Sequence, residues 1–167
     1  MLSGETTTGA YPLESVDVLQ QIIGSIEPTV SRTLNSRIEL KDPKAIMLRS
    51  SAILAQEIGE TDPEHGSGIV VFTRSGFLAY VLGALRPRGV PIFAFTDDEP
   101  TFHQLLLPWG VEPFFLQFSD DPEQTIQDAL GVLRSNGWCP PGAWLAVITN
   151  VLAGGRIVDT LQLRQVH

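Results

Sequence analysis

The four residues Thr73-Arg74-Ser75-Gly76 sit between a short apolar run and the start of an amphipathic segment, which is a strand-to-helix junction. Such a junction leaves backbone N–H groups unpaired at the positive end of a helix dipole, and the Thr73 and Ser75 hydroxyls add further donors. The chemistry this suits is phosphate binding. Gly76 lets the backbone approach an anion closely, and Arg74 supplies charge if it points inward. The same residues also read as an ordinary tight turn with Ser75 as the helix cap. A second stretch, Asn150 to Gly155 with Arg156 behind it, follows another apolar run. In a parallel sheet the loops at the carboxyl ends of strands converge on one edge, so Arg156 could close over an anion held at Thr73 to Gly76. Its alternative is a wide hairpin connection whose glycines serve only the backbone. Neither glycine cluster runs into Lys-Ser or Lys-Thr, so there is no Walker pattern.

Signatures of catalysis are missing. His65 falls in an acidic loop, His103 in a short helix, and His167 is the last residue of the sequence. Nothing in the spacing pairs them as metal ligands or with a nucleophile, and His103 reads as a partly buried surface histidine. Asp97, Asp98 and Glu99 cluster after a strand end and have the chemistry to hold a cation, but they read first as a solvated turn that caps the next helix. Asp120 and Asp121 invite the same reading. Trp109, Trp138 and Trp144 show no stacking pattern and belong in a core or an interface.

The elements that must position these residues alternate in a regular way. Pro12 suits a first helical turn, and Leu13, Val16, Leu19, Ile23 and Ile26 keep helical spacing until Pro28, which should end or kink the helix. Asp42 as cap and Pro43 at the first position open a second helix, with Ala45, Leu48, Ala52, Ala55 and Ile58 as its apolar stripe. Residues 59–68 read as a surface loop. Strands are expected over Ile69–Phe72, Pro91–Phe95, Val111–Phe118, Trp144–Ile148 and Thr160–Leu163. Helices are expected over Phe77–Leu85 and Thr101–Leu107, and from Pro122 with Ile126, Ala129, Leu130 and Leu133 inward. Apolar strands alternating with amphipathic helices make a three-layer α/β/α fold around a mostly parallel five-stranded sheet. The last strand is free to run antiparallel, because too few residues precede it for a crossover helix.

Composition narrows the function classes. The chain has 167 residues, 43% of them hydrophobic and 18% charged, which suits one domain with a sizeable core. Its formal net charge of −8 argues against a nucleic-acid or acidic-membrane surface, since either needs a basic footprint. Cys139 is the single cysteine, so there is no disulfide framework and a reducing, cytoplasmic setting is expected. The apolar runs fall far short of the ~20 residues a membrane-spanning helix requires, and no signal peptide is apparent.

The opening segment Met1-Leu2-Ser3-Gly4-Glu5-Thr6-Thr7-Thr8-Gly9-Ala10-Tyr11-Pro12-Leu13-Glu14-Ser15-Val16 resembles the pyruvate kinase signature at the last strand of the catalytic barrel and the helix after it. Thr7 stands where the family usually has alanine. Downstream, Thr73-Arg74-Ser75-Gly76 with Ala79, then Arg86-Pro87-Arg88, Pro91-Ile92 and Thr96, is similar in order and spacing to the family's C-terminal domain. Gly142 before an apolar strand and Asp159-Thr160 before the last one continue the likeness, which covers essentially the whole chain.

The resemblance assigns residues 1–12 to the edge of a barrel and 13–167 to the C-terminal α/β domain. In the family that domain is regulatory, carries a sugar-phosphate effector site and contributes to the tetramer interface. The catalytic lysine and the ligands of magnesium and potassium lie on the barrel, so this chain alone is expected to be inactive and to hold no cofactor. Thr73, Arg74, Ser75, Gly76 and Arg156 are the implied phosphate site, for a sugar phosphate or a nucleotide monophosphate. Phe77 and Leu78 replace a basic or polar residue and a hydroxyl, and Val151 and Leu152 stand where effector-responsive members place an aromatic and a basic residue. A weakened or altered effector site is the implication. Three readings follow: a regulatory and assembly domain of a pyruvate kinase, a stand-alone phosphate-binding module derived from it, or a small enzyme, which the scattered acids and histidines do not support. A homo-oligomer is expected, because the apolar face of Ala45 to Ile58 looks too extensive for one domain to cover. With barrel neighbours gone, residues 1–10 are expected to be poorly tied down.

Overall fold

A computed structural model describes the backbone of residues 2–34, 41–153 and 156–167, and side chains over 2–26, 41–149 and 158–167. The chain divides into two units, Met1–Glu39 and Leu40–His167.

In the first unit a 3-10 turn, Gly4–Thr6, is held by its own backbone: the amides of Thr8 and Gly9 both donate to the Gly4 carbonyl at 2.9 Å. Helix α1, Pro12–Leu34, follows. Of the two outcomes its sequence suggested at Pro28, an end or a kink, the end does not occur. A proline forfeits one backbone bond and crowds one carbonyl, and here the helix continues past it.

The second unit opens with α2, Pro43–Thr61, where the Asp42 carboxylate accepts from the amides of Lys44 (2.8 Å) and Ala45 (3.2 Å). Ala45, Leu48, Ser51, Ala52 and Ala55 are buried. Of the α2 stripe behind the oligomer expectation, Ala45, Leu48, Ala52 and Ala55 are thus covered and only Ile58 stays partly exposed. The helix also runs through Gly59, so the expected loop shrinks to residues 62–66. A Cβ at Gly59 would stand 2.7 Å from the Ser67 hydroxyl, which donates to the Ala55 carbonyl. The bare glycine thus lets the end of the helix press against the first strand.

Five strands follow: β1 Ser67–Phe72, β2 Ile92–Thr96, β3 Val111–Phe115, β4 Trp144–Ala153 and β5 Arg156–Gln165. Their order in the sheet is β3-β2-β1-β4-β5. β1 pairs in parallel with β2 and β4, β2 with β3, and only β4 with β5 is antiparallel, as the short connection required. Helices α3 (Phe77–Leu85), α4 (Glu99–Gln104) and α5 (Pro122–Ser135) fill the crossovers.

Strand periodicity sends alternate residues to opposite faces. On one face Val70, Phe93, Phe95, Leu145 and Val147 pack against Ile126, Ala129 and Leu133 of α5. On the other, α2 and α3 lie over β1, with α2 reaching β4 and α3 reaching β2. Leu78, Ala79 and Leu82 of α3 are buried there. The sheet and its two helical layers are the α/β/α fold expected. Helix α4 starts earlier than expected because Asp98, accepting from the Thr101 amide at 2.9 Å, caps it upstream. β3 ends three residues early, at Phe115, while β4 and β5 extend well beyond their apolar cores because pairing with each other, not hydropathy, sets their length.

Candidate functional site

Thr73 follows β1 directly, and Gly76 is the N-cap of α3 in the left-handed conformation, φ 74°. Ser75 therefore does not cap the helix. No side chain caps it; the Thr73 hydroxyl closes the turn before it, accepting from the Gly76 amide at 2.9 Å and, at longer range, from Ser75 at 3.4 Å. Two of the amides that were to cradle a phosphate are thus taken by a side chain of the same turn. Because Thr73 accepts in both contacts, its own proton is available to donate.

Arg74 is not an unengaged cation pointing inward. Its Nε lies 2.8 and 3.0 Å from the two carboxylate oxygens of Asp97, and Nη2 lies 2.6 Å from Oδ2. The guanidinium stands over the Phe118 ring, 5.3 Å from its centroid. This hydrogen-bonded pairing holds the Asp97 carboxyl below its usual range and raises Arg74. The Thr101 hydroxyl donates to the Arg74 carbonyl at 3.0 Å, which ties the α4 start to the same turn.

Between these turns lies a cavity of about 360 Å³ lined by Phe72, Thr73, Arg74, Phe118, Ser119, Pro122, Thr125 and Thr149. It opens at the carboxyl ends of the parallel strands. From β1 the chain leaves through α3 toward β2 on one side, whereas β4, on the other side, is reached through α5. The cavity occupies that divergence, where open α/β sheets hold ligands. The rings of Phe72 and Phe118, edge-on at 5.7 Å, form its apolar wall, and Phe72 stacks at 5.6 Å on the buried Phe95 behind it. Ser119 and Thr125 bring hydroxyls from the start of α5; the Ser119 amide donates to Thr125 Oγ1 at 2.9 Å. Thr149 is linked to Thr160 of β5 at 2.8 Å.

The sequence reading missed Ser119, Thr125, Thr149 and Phe118 as lining residues and Asp97 as the partner of Arg74. The signal for Ser119 and Thr149 was position alone: each directly follows an expected strand, Val111–Phe118 and Trp144–Ile148. The second candidate stretch dissolves as a loop, because Asn150 to Ala153 belong to β4 and Ala153 pairs with Arg156. Residues 154–155 lie outside the described residues, as does the Arg156 side chain. β4 and β5 are antiparallel neighbours, but with Ala153 opposite Arg156 the connection is not the wide one the sequence suggested.

Remaining polar residues take local roles. Asp98 and Asp121 cap α4 and α5. His65 pairs with Asp62 at 2.9 Å, which raises the imidazole and lowers the carboxyl. His103 is exposed, with Nδ1 2.9 Å from the Glu99 carbonyl. No group of three or more His, Cys, Asp or Glu able to hold a metal occurs among the described residues. Asp97 and Asp98, which the sequence offered for a cation, are committed to Arg74 and to the Thr101 amide. Trp138 packs edge-on against Phe93 and Phe114 and is half-exposed.

The fold is a parallel-dominated α/β domain with a hydroxyl-lined cavity at its strand divergence. Residues 61–163 match the family described as pyruvate kinase, alpha/beta domain. The chain belongs to that family. It is 31% identical over 169 residues to plastidial pyruvate kinase 2 of Arabidopsis thaliana, covering 99% of this chain and 28% of that protein. With plastidial pyruvate kinase 3 of the same plant it shares 34% identity over 149 residues, covering 89% of this chain and 25% of the relative. With the pyruvate kinase of Chlamydia pneumoniae the figures are 33% over 123 residues, 72% and 25%. The chain thus spans about a quarter of the length of these curated relatives. Among the described residues no helix is long and apolar enough to cross a membrane.

Proposed function

We propose that this chain serves as the regulatory and assembly domain of a pyruvate kinase, and that the cavity at the strand divergence takes a small phosphorylated effector. In the complete enzyme, phosphoryl transfer between phosphoenolpyruvate and ADP would fall to a barrel with its magnesium and potassium, which the family resemblance places elsewhere. The observation that carries the reading is the cavity itself, at the position where α/β sheets hold ligands. Thr73 and Ser119 bring hydroxyl donors, and Arg74 brings the cation that a phosphate needs. Sugar phosphates and nucleotide monophosphates both suit its size, and the Phe118 ring offers a face to a sugar or a base.

Calorimetric titration with sugar mono- and bisphosphates, AMP and ribose 5-phosphate tests it. Saturable binding below millimolar concentration, abolished by Thr73→Val, is expected. Failure of all of them in the millimolar range refutes the effector site.

Assembly draws support from Ile46 and Ile53, one heptad apart on α2 and about half exposed (49% and 52%), which is apolar surface on the outward side of that helix. Light scattering should return a dimer or larger species, and a monomer at high concentration refutes this part. The single buried thiol suits a reducing compartment. Cytoplasm meets that requirement, and so does the plastid interior named for the plant relatives.

A further inference from the structure

The described lining of the cavity contains one cation, Arg74, and that cation already holds an anion. Resting on the effector-site reading above, we propose that Asp97 is the specificity-determining residue of this cavity: it occupies Arg74 as a built-in competitor, so that a phosphate binds only by exchanging with the Asp97 carboxylate.

The geometry gives the reasons. Both Asp97 oxygens are engaged by the guanidinium, through Nε and Nη2 at 2.6 to 3.0 Å, the fork-to-carboxylate arrangement that a phosphate would also seek. The two partners are unequal. The Asp97 side chain is only 10% exposed, whereas Arg74 is 69% exposed, so the acid is fixed in the fold and the arginine is free to swing. The guanidinium stands 5.3 Å from the Phe118 ring centroid, and both side chains line the cavity together with Thr73 and Ser119. Each end of Asp97 is anchored: Thr96 before it is buried in β2, and Asp98 after it caps α4. Asp97 therefore stays close by after the exchange, as a fixed negative charge. A ligand with one phosphate can take Arg74 and remain clear of Asp97, while a second phosphate close to that carboxylate meets repulsion. The class selected is a monophosphate of a sugar or nucleoside, at the expense of bisphosphates.

The test is titration of the chain with inorganic phosphate, ribose 5-phosphate and fructose 1,6-bisphosphate, using the unaltered protein, Asp97→Asn, Arg74→Gln and the double variant. Asp97→Asn should bind phosphate roughly fivefold more tightly, with the larger gain for the bisphosphate. In the Arg74→Gln background the gain for inorganic phosphate should vanish, because there is no cation left to release. A merely structural role for Asp97 gives the opposite sign, weaker binding in Asp97→Asn. Equal or weaker binding by that variant overturns the exchange while leaving the effector site standing, whereas no binding of any probe to any variant removes both. Should Asp97→Asn fail to fold, NMR of the unaltered chain decides: the Arg74 Nε–H signal must move as inorganic phosphate saturates the site, and an unmoved signal under bound phosphate refutes the proposal.

Discussion

Replacing Gly76 with alanine tests the turn on which the candidate site is built. Gly76 has φ 74°, and an L-residue in this left-handed region costs about 1 to 2 kcal/mol. A Cβ there would lie 3.0 and 3.2 Å from Cε2 and Cδ2 of Tyr80, closer than carbon atoms comfortably pack. The ring can tilt away, since Tyr80 is 40% exposed, but tilting strains the bond from its hydroxyl to the Gln104 carbonyl at 3.2 Å. A hydrogen bond of this kind contributes about 0.5 to 1.5 kcal/mol. The expected destabilisation is therefore about 2 kcal/mol, or a fall in Tm of roughly 4 to 8 °C for a chain of this size. Urea unfolding followed by tryptophan fluorescence reads it directly. In a Tyr80→Ala background the steric part disappears and only the backbone cost remains, so the two effects should be less than additive. A loss below about 0.5 kcal/mol in the single variant would refute the left-handed cap, and with it the assignment of the Gly76 amide to Thr73.

Three further outcomes follow from particular contacts. Asp121→Ala removes the acceptor of the Glu123 amide at 3.0 Å and should lower stability by about 1 kcal/mol in urea titration, while Asp121→Ser should restore most of it. Burial pushes the Cys139 thiol up to about 11, so at pH 8 the folded chain should react with a thiol reagent only as fast as it opens, and the rate should rise steeply with denaturant. Arg74 holds the Asp97 carboxyl below its ordinary value of 3.8, so the folded state binds that proton less readily than the unfolded one. The stability this contributes is present above pH 4 and is lost as pH falls through the lowered folded value. Asp97→Asn should therefore show a shallower acid decline in Tm below pH 4, and an unchanged decline would mean that the pair does not persist in solution.

The alternation of apolar runs and amphipathic segments made the layered sheet legible, since that pattern has few other solutions. Thr73 to Gly76 was recognisable as a strand-to-helix junction for the same reason. What the turn does with its own donors was not legible. Whether the Thr73 hydroxyl bonds outward or back to Gly76 depends on a left-handed φ, and whether Arg74 faces inward depends on Asp97, which is distant in sequence and belongs to a different turn. Asp97 and Asp98 are adjacent acids of identical chemistry, yet one pairs with an arginine and the other caps a helix. Sequence reading gave both to the cap. Asn150 to Ala153 went astray differently: a glycine pair shortly after an apolar run marks a turn, but only the partner strand decides how far pairing extends before it.

The central position of β1 has a consequence for how the second unit assembles. The β4–β5 hairpin closes through a short connection, and the pairings of β1 with β2 and of β2 with β3 each span one crossover. The seam between Ser67–Val71 of β1 and Trp144–Ile148 of β4 instead joins segments separated by most of the unit. Its closure entropy must be met before its bonds form. Refolding should therefore be limited by the meeting of two preformed halves, with Gly68, wedged between Leu145 and Phe93 where a Cβ would come within 2.9 Å of each, at the point where they lock.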